Sequence, residues 1–439
     1  MKALIKKLLS RSAISKYHYF LSFTGAILYG FPSKKVKVIG VTGTNGKSTV
    51  VYLLAQMLKG AGYKVALSSS IEFWIGDKIW PNTFKMTMPG RYFLQKFLKQ
   101  AYIAGCDYVI IEVTSEGIAQ NRHAFIDFDS VALINISPEH IERHGGYENY
   151  KKAKGILFEA LAASKKNNRS IVINIADKEA NYFLGLVSKD PVRRPVGVAF
   201  RRSDQVSTTG LFSSMQEVIS NNERVNKGGV LFNINGVEFE SELQGTFNIE
   251  NLLTVISIGI SQNMKLEDIS KILKQCKVVP GRLEKISNNK NLDIYVDYAH
   301  TPAALEAVYR ALSPNADLVC VLGATGGGRD KWKRPELGKI AARYCKKIIL
   351  TNEDPYDEDP ISIIEAVERG VSSSVKINDN KIDYEIILDR KKAIVKAIET
   401  AKPGQAVIVT GKGSENLMML SRGEKIAWDD RDIIKKILS

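Results

Sequence analysis

The stretch Val38-Ile-Gly-Val-Thr-Gly-Thr-Asn-Gly-Lys-Ser-Thr49 constrains this chain more than any other. It follows an apolar run at 36–39 and opens a helical pattern over 48–59, where Val50, Val51, Leu53, Leu54, Met57 and Leu58 recur at helical spacing. A strand that turns through glycines into a helix aims backbone N–H groups at a polyphosphate on the helix N-terminus. Gly43 and Gly46 let that backbone wrap the phosphates around Thr44 and Asn45. Lys47 neutralises the outer phosphates, and Ser48, followed by Thr49, offers a hydroxyl to Mg²⁺. The spacing departs from G-x-x-x-x-G-K-[ST], since Val41 stands where the first glycine belongs.

Short apolar runs and helical patterns alternate from Val36 onward, the rhythm of a mostly parallel α/β sheet. Further strands are expected at 64–67, 107–113 and 131–134. Between 203 and 245 the texture turns to Ser, Thr and Asn, and 229–240 alternates around Asn235-Gly236, a hairpin signal. Val278-Val-Pro-Gly-Arg-Leu-Glu284 breaks the pattern and marks a domain boundary. A second α/β unit is expected beyond it, with strands at 292–296, 318–322, 347–350, 384–388 and 406–409 and helices at 302–312, 335–345, 361–369 and 391–400. The expected fold class is α/β: a central phosphate-binding domain at 36–280, a C-terminal Rossmann-like domain at 281–439, and a basic, aromatic segment at 1–35.

The 62 Lys and Arg against 47 Asp and Glu give a net charge of +15, which favours acidic partners without choosing among them. No stacking motif of the RNA-binding kind accompanies the charge, so nucleic acid is not expected. Cys106, Cys276, Cys320 and Cys345 form no CxxC pair, which argues against a zinc ribbon or a disulfide scaffold and for a reducing cytoplasm. At the N-terminus, Lys2, Lys6, Lys7, Arg11 and Lys16 precede the apolar residues 17–31. That run falls short of the roughly 20 residues needed to cross a bilayer. A helix packed on the protein and an interfacial membrane helix are both open readings.

Glu112 ends an apolar strand, where a charge in an open α/β sheet points to the binding crevice. The segment Asn135-Ile-Ser-Pro-Glu-His-Ile-Glu-Arg-His-Gly145 holds His140 and His144 four apart beside Glu139 and Glu142. By spacing alone it fits a zinc site, a hydrolase site or a polar loop equally well.

Several ordered segments then converge. Thr42-Gly-Thr-Asn-Gly-Lys-Ser48, Glu112-Val-Thr-Ser115 with Gln120 and Arg122, 135–145 and Tyr150-Lys-Lys-Ala-Lys154 come first. Gly245-Thr-Phe-Asn-Ile-Glu-Asn251, Pro280-Gly-Arg-Leu-Glu284, Asp297-Tyr-Ala-His-Thr-Pro302, 326–335 and Gly411-Lys-Gly-Ser-Glu415 follow. Together they resemble the Mur ligases, ATP-dependent enzymes that add amino acids to the cell-wall peptide. The likeness is greatest to the MurE type, which adds the third residue to UDP-N-acetylmuramoyl-L-Ala-D-Glu.

The resemblance implies roles. Lys47 and Ser48 would serve ATP and Mg²⁺; Glu112 and His140 would hold metal; Lys154 matches a lysine that the family carries as a carbamate. Asn248 and Asn251 match adenine-side positions, Arg282 a phosphate-side arginine, and Asp297 with His300 the ATP-facing edge of the second domain. Thr87, Thr114, Ser115, Gln120 and Arg122 correspond to the muramoyl-peptide side. Gly411 and Glu415 belong to the substrate side of the second domain, with Asp354 and Tyr356. The implied mechanism passes through an acyl phosphate, with Lys47 and Arg282 neutralising charge.

Two departures stand out. Diaminopimelate-adding members show Asp-Asn-Pro-Arg, whose arginine grips a distal carboxylate. Here Tyr356 takes its place among Glu353, Asp354, Asp357 and Glu358, so the expected amine is lysine or another diamino acid without that carboxylate. Family members also begin with a domain for the UDP group, whereas about 35 residues precede the first strand here. Uridine recognition by other surfaces, a partner that supplies it, and a membrane-bound acceptor met through residues 1–35 are the three expectations.

Overall fold

The computed structural model describes residues 11–84, 86–139, 141–188, 195–208, 215–289, 292–378 and 382–439. Its larger sheet takes strands β1 (Lys37–Thr42), β2 (Val65–Ser68), β3 (Glu72–Ile75), β4 (Lys78–Pro81), β5 (Tyr108–Glu112) and β6 (Ser130–Leu133). To these it adds β7 (Ser170–Asn174), β8 (Val196–Arg202), β9 (Gln216–Asn226), β10 (Gly229–Ile234) and β11 (Val237–Ser241). The spatial order is β11-β10-β9-β8-β7-β6-β1-β5-β2-β3-β4. It is parallel from β9 to β2 and antiparallel at both flanks. The β10–β11 hairpin turns where the sequence placed it. Asn235 (φ 48°) and Gly236 (φ 85°) both adopt left-handed backbone, which lets a two-residue turn follow the strand twist.

Because the parallel strands are buried on both faces, they read as continuous apolar runs rather than alternating ones. One face packs on helices Lys47–Gly60 and Phe247–Ser261, with Leu54, Val255 and Phe232 in the shared core. The other packs on helices Arg91–Ile103, Tyr147–Ala163 and Ala180–Val187 around Phe97, Phe158 and Phe183. The residues 17–31 singled out in the sequence overlap a helix, Arg11–Tyr29, which packs against Arg91–Ile103.

The second sheet orders β12 (Glu284–Lys285), β13 (Asp293–Asp297), β17 (Gln405–Thr410), β14 (Asp317–Leu322), β15 (Cys345–Leu350) and β16 (Asp383–Ile386). It is parallel from β13 to β16. One finding differs from the cysteine reading: Cys320 of β14 and Cys345 of β15 form a disulfide. Their 25-residue separation spans a whole crossover, so only strand adjacency, which spacing does not show, brings them together.

Candidate active site

Carboxyl ends of both sheets face a common cleft of about 750 Å³. In the larger sheet β1 lies between β5 and β6, a topological switch point, and the phosphate-binding loop leaves its carboxyl end there. Gly46 caps helix Lys47–Gly60 at φ 83°, and a Cβ at this position would collide with Asn251 Oδ1. Only glycine therefore fits both the turn and the close approach of helix Phe247–Ser261. Asn251 donates to Asn248 Oδ1 at 2.8 Å, and Asn248 donates to Gln244 O at 2.7 Å, so these two buried amides are fixed as a pair. The N–H groups of Thr44 and Asn45 both point at Asn135 Oδ1, at 3.1 and 3.0 Å. Thr49, also on the cleft, lies in the first turn of the helix.

Lys47 Nζ donates to Gly43 O at 3.0 Å and Thr44 O at 2.8 Å. Burial lowers its pKa, Glu112 opposes that shift and Arg282 adds to it. Glu112, buried at the end of β5, accepts from Ser48 Oγ at 3.0 Å with one oxygen. Its other oxygen accepts from Ser70 N and Oγ, both at 2.8 Å. Ser70 escaped the sequence reading because it carries no motif; its place follows only from the adjacency of β2 and β5.

Arg282 crosses from the second unit to donate to Ser48 Oγ at 2.8 Å, its guanidinium 4.5 Å from the centre of the Tyr298 ring. Asp297, at the end of β13, holds the backbone just after that arginine by accepting from Leu283 N, and its other oxygen accepts from Ala299 N, both at 2.6 Å. Burial raises the Asp297 carboxyl to about 6, against the pull of Arg282. His300 Nδ1 lies 2.9 Å from Tyr298 O, and Thr301 donates across the cleft to Asn45 Oδ1 at 3.5 Å.

On the side of β5 and helix Ser115–Ala119, Thr87, Thr114, Ser115, Gln120 and Arg122 line the cleft together. Thr114 Oγ1 caps that helix by accepting from Gly117 N at 3.2 Å, and Ser115 Oγ meets His144 Nε2 at 3.1 Å. Arg122 donates to Gln120 Oε1 at 2.8 Å and to Met88 O. Arg91, which the sequence reading passed over, donates to Gln120 O at 3.1 Å.

The opposite wall carries Asp354, Tyr356, Gly411 and Glu415, joined by Arg329 and Lys333. Here the structure revises the acidic reading of this wall. Lys412, absent from the sequence assignments, donates to Asp354 Oδ1 at 2.8 Å and Glu415 Oε2 at 2.7 Å. Burial works against the Lys412 charge, but Glu415 and Asp354 outweigh it and hold its pKa above the ordinary lysine value. Asp357 accepts from Arg422 N, and Glu358 pairs with Arg334 and Lys331. The acids around Tyr356 are therefore largely committed to cations and backbone; Glu353 accepts from Thr325 with one oxygen, and its other oxygen is buried without a hydrogen-bond partner among the described residues.

Two assignments stand apart. Lys154 lies behind the loop rather than on the cleft, fully buried, donating to Gly43 O at 2.8 Å and Thr42 Oγ1 at 3.3 Å. Burial first, and Lys47 second, lower its pKa well below the ordinary lysine value. His140 lies outside the described residues. Among the described residues no group of three or more His, Cys, Asp or Glu converges as a ready metal site. The oxygens of Glu112, Ser48 and Ser70 do converge, and an all-oxygen set suits a hard cation such as Mg²⁺.

Comparison with known proteins agrees with this architecture. The Mur ligase middle domain matches residues 41–259, and the Mur ligase, glutamate ligase domain matches residues 281–413. A Bacillus cereus protein named UDP-N-acetylmuramoyl-L-alanyl-D-glutamate--2,6-diaminopimelate ligase is 32% identical over 419 residues, covering 94% of this chain and 80% of that protein. A Roseiflexus sp. protein named UDP-N-acetylmuramyl-tripeptide synthetase is 30% identical over 429 residues, covering 94% and 81%. The solved structure of a diaminopimelate ligase of the first kind superposes with a TM-score of 0.60 at 27% identity, over 92% of this chain and 78% of that one. Mycobacterium tuberculosis folylpolyglutamate synthase superposes with a TM-score of 0.66 at 16% identity, over 90% and 92%, a likeness of fold alone. With both domains matched and relatives aligned along nearly its whole length, the chain belongs to the Mur ligase family, the ATP-dependent ligases that form amide bonds.

Proposed function

We propose that this ligase joins a diamino acid without a distal carboxylate, such as L-lysine, to a UDP-N-acetylmuramoyl-L-Ala-D-Glu-like acceptor in the cytoplasm. The observation that carries the reading is the single cleft in which Lys47, Ser48 and Glu112 meet Arg282. The acceptor-side group of Thr87, Thr114, Gln120 and Arg122 borders it on one side and Tyr356 on the other. We divide the chain into a segment at 1–35, a central ATP-binding domain at 36–280 and a C-terminal domain at 281–439. The acceptor carboxylate attacks the γ-phosphate of ATP and displaces ADP, giving an acyl phosphate. The amine then attacks the acyl carbon, phosphate leaves, and the amine loses a proton.

For such chemistry the protein supplies position and charge. Lys47 and Arg282 neutralise charge on the transferring phosphoryl group; Asn248 and Asn251 hold the base; Asp297 fixes the turn that aims Arg282. Glu112, Ser48 and Ser70 would hold Mg²⁺, which when bound offsets phosphate charge. Burial, and Lys47 after it, lower the Lys154 pKa well below the ordinary lysine value, which favours the neutral amine, the form that adds CO₂ as a carbamate. Tyr356 carries the amine preference: it offers no cation to a distal carboxylate, although Arg329 stands on the same wall. The test is ATP-dependent phosphate release with UDP-N-acetylmuramoyl-L-Ala-D-Glu, comparing lysine, ornithine and meso-diaminopimelate, with mass spectrometry of the product. A lysine- or ornithine-bearing tripeptide is expected; preference for meso-diaminopimelate removes the Tyr356 argument.

A further inference from the structure

Helix Arg11–Tyr29 leaves an unusual surface open. Tyr17, Phe20, Ile27 and Leu28 are 53–67% exposed, and the 3.6-residue period puts them, with Thr24, along one side. Its other side is firmly docked. Ser22 and Ala26 are buried, Ser22 Oγ donates to Asn121 O at 2.6 Å, Asn121 Nδ2 donates to Ser15 O at 3.1 Å, and Tyr19 and Phe23 flank Phe125. A helix fixed on one side that shows aromatic and aliphatic side chains to solvent on the other has a face with no partner among the described residues.

Charge identifies what suits that face. Residues 1–71 hold eleven Lys and Arg and no Asp or Glu, and 86–106, which include the neighbouring helix Arg91–Ile103, hold no acid either. The turn Pro32–Lys35 ends in two exposed lysines: Lys34 lies 4.8 Å from the centre of the Phe31 ring and Lys35 5.2 Å from that of Tyr102. Lys99 also sits over Tyr102, and Ile103 beside it is 70% exposed. No described helix is long and apolar enough to cross a membrane. We propose that the exposed face of helix Arg11–Tyr29, with the Lys34, Lys35 and Lys99 fringe, lies in the interface of an anionic phospholipid bilayer, apolar side chains among the acyl chains and lysines at the phosphates. The same helix grips 121–125, next to Gln120 and Arg122, so docking turns that mouth of the cleft toward the bilayer. That orientation rests on the acceptor assignment above, whereas vesicle binding does not.

The test uses the full chain and sedimentation with vesicles of phosphatidylcholine alone or with about a third phosphatidylglycerol. The protein is expected to bind the anionic vesicles and to release them as salt rises. Phe20→Ser/Ile27→Ser/Leu28→Ser and, separately, Lys34→Glu/Lys35→Glu/Lys99→Glu are each expected to weaken binding at least about tenfold, with circular dichroism and phosphate release on a water-soluble acceptor unchanged. Absence of binding, or equal binding to both vesicle types, overturns the proposal. So does a self-association in the sizing column that the serine variant abolishes, because the face then belongs to a second copy.

Discussion

The two walls of the cleft are built by different physics. On the wall of the larger sheet, backbone and neutral groups do the fixing: Gly46 against Asn251, loop N–H groups on Asn135, and Glu112 on two serine hydroxyls. On the wall of the smaller sheet, ion pairs do it, with Lys412 tying Asp354 to Glu415 and Arg390 tied to Asp430 at 2.7 Å behind them. A wall fixed by backbone and neutral groups depends less on one side chain's charge, since Glu112 beside Lys47 keeps its hydrogen bonds from Ser48 and Ser70 when that charge is lost. A wall fixed by buried ion pairs depends on it more.

The largest effect should therefore come from the second wall. Lys412→Met leaves the buried Asp354 and the partly exposed Glu415 without their cation, and breaking such a pair costs about 3–5 kcal/mol. Chemical denaturation should show that loss. A change below about 1 kcal/mol, the worth of an exposed pair, would erase the contrast between the walls.

Lys47→Ala probes the first wall. Among the described residues Lys47 donates to the carbonyls of Gly43 and Thr44 alone, so the melting temperature should hardly move. Phosphate release should nonetheless fall about 10²–10³-fold, the cost of removing one preorganised charge-stabilising donor. A variant that melts early and turns over normally would reverse the assignment.

Asp297 sits at the seam, and its effect is a pH slope. Its carboxyl is raised from 3.8 to about 6 in the folded state, mainly by burial, so the native state binds more protons than the unfolded one between those values. Stability from this group is present below the unfolded pKa and is lost as pH rises through the window, by about 2–3 kcal/mol. Asp297→Asn should flatten that segment of a stability-versus-pH curve; an unchanged slope would place the titration elsewhere.

This contrast also explains what the sequence made legible. A loop fixed by its own backbone must advertise itself, so Gly43 through Ser48 and the Asn235-Gly236 turn could be read directly. The continuous apolar runs likewise gave the parallel strands. Lys412 could not be singled out, because a lysine between two glycines looks like any solvated loop charge until residues 354 and 415 are brought beside it. Ser70 and the Cys320–Cys345 disulfide were hidden for the same reason: their roles depend on which strands are neighbours.

The smallest and most selective effect belongs to Tyr356. Tyr356 adopts φ 53° and its ring packs by Gly327, on the wall where Lys412 bridges Asp354 and Glu415. With those acids sharing Lys412 and Arg329 on the same wall, the proposed amine preference rests less on a broad negative field than on the absence of a cation at 356 and on what Arg329 reaches. Tyr356→Arg then adds a guanidinium where a distal carboxylate would fall, and a bidentate pair at a half-exposed wall should favour meso-diaminopimelate over lysine by about tenfold. The measurement is the ratio of kcat/KM for the two amines, which cancels any general damage from placing arginine at a positive φ. A ratio that does not move would mean that Arg329 already engages the carboxylate, and that the ion-paired wall sets the pose of the amine's reacting end rather than the identity of its far one.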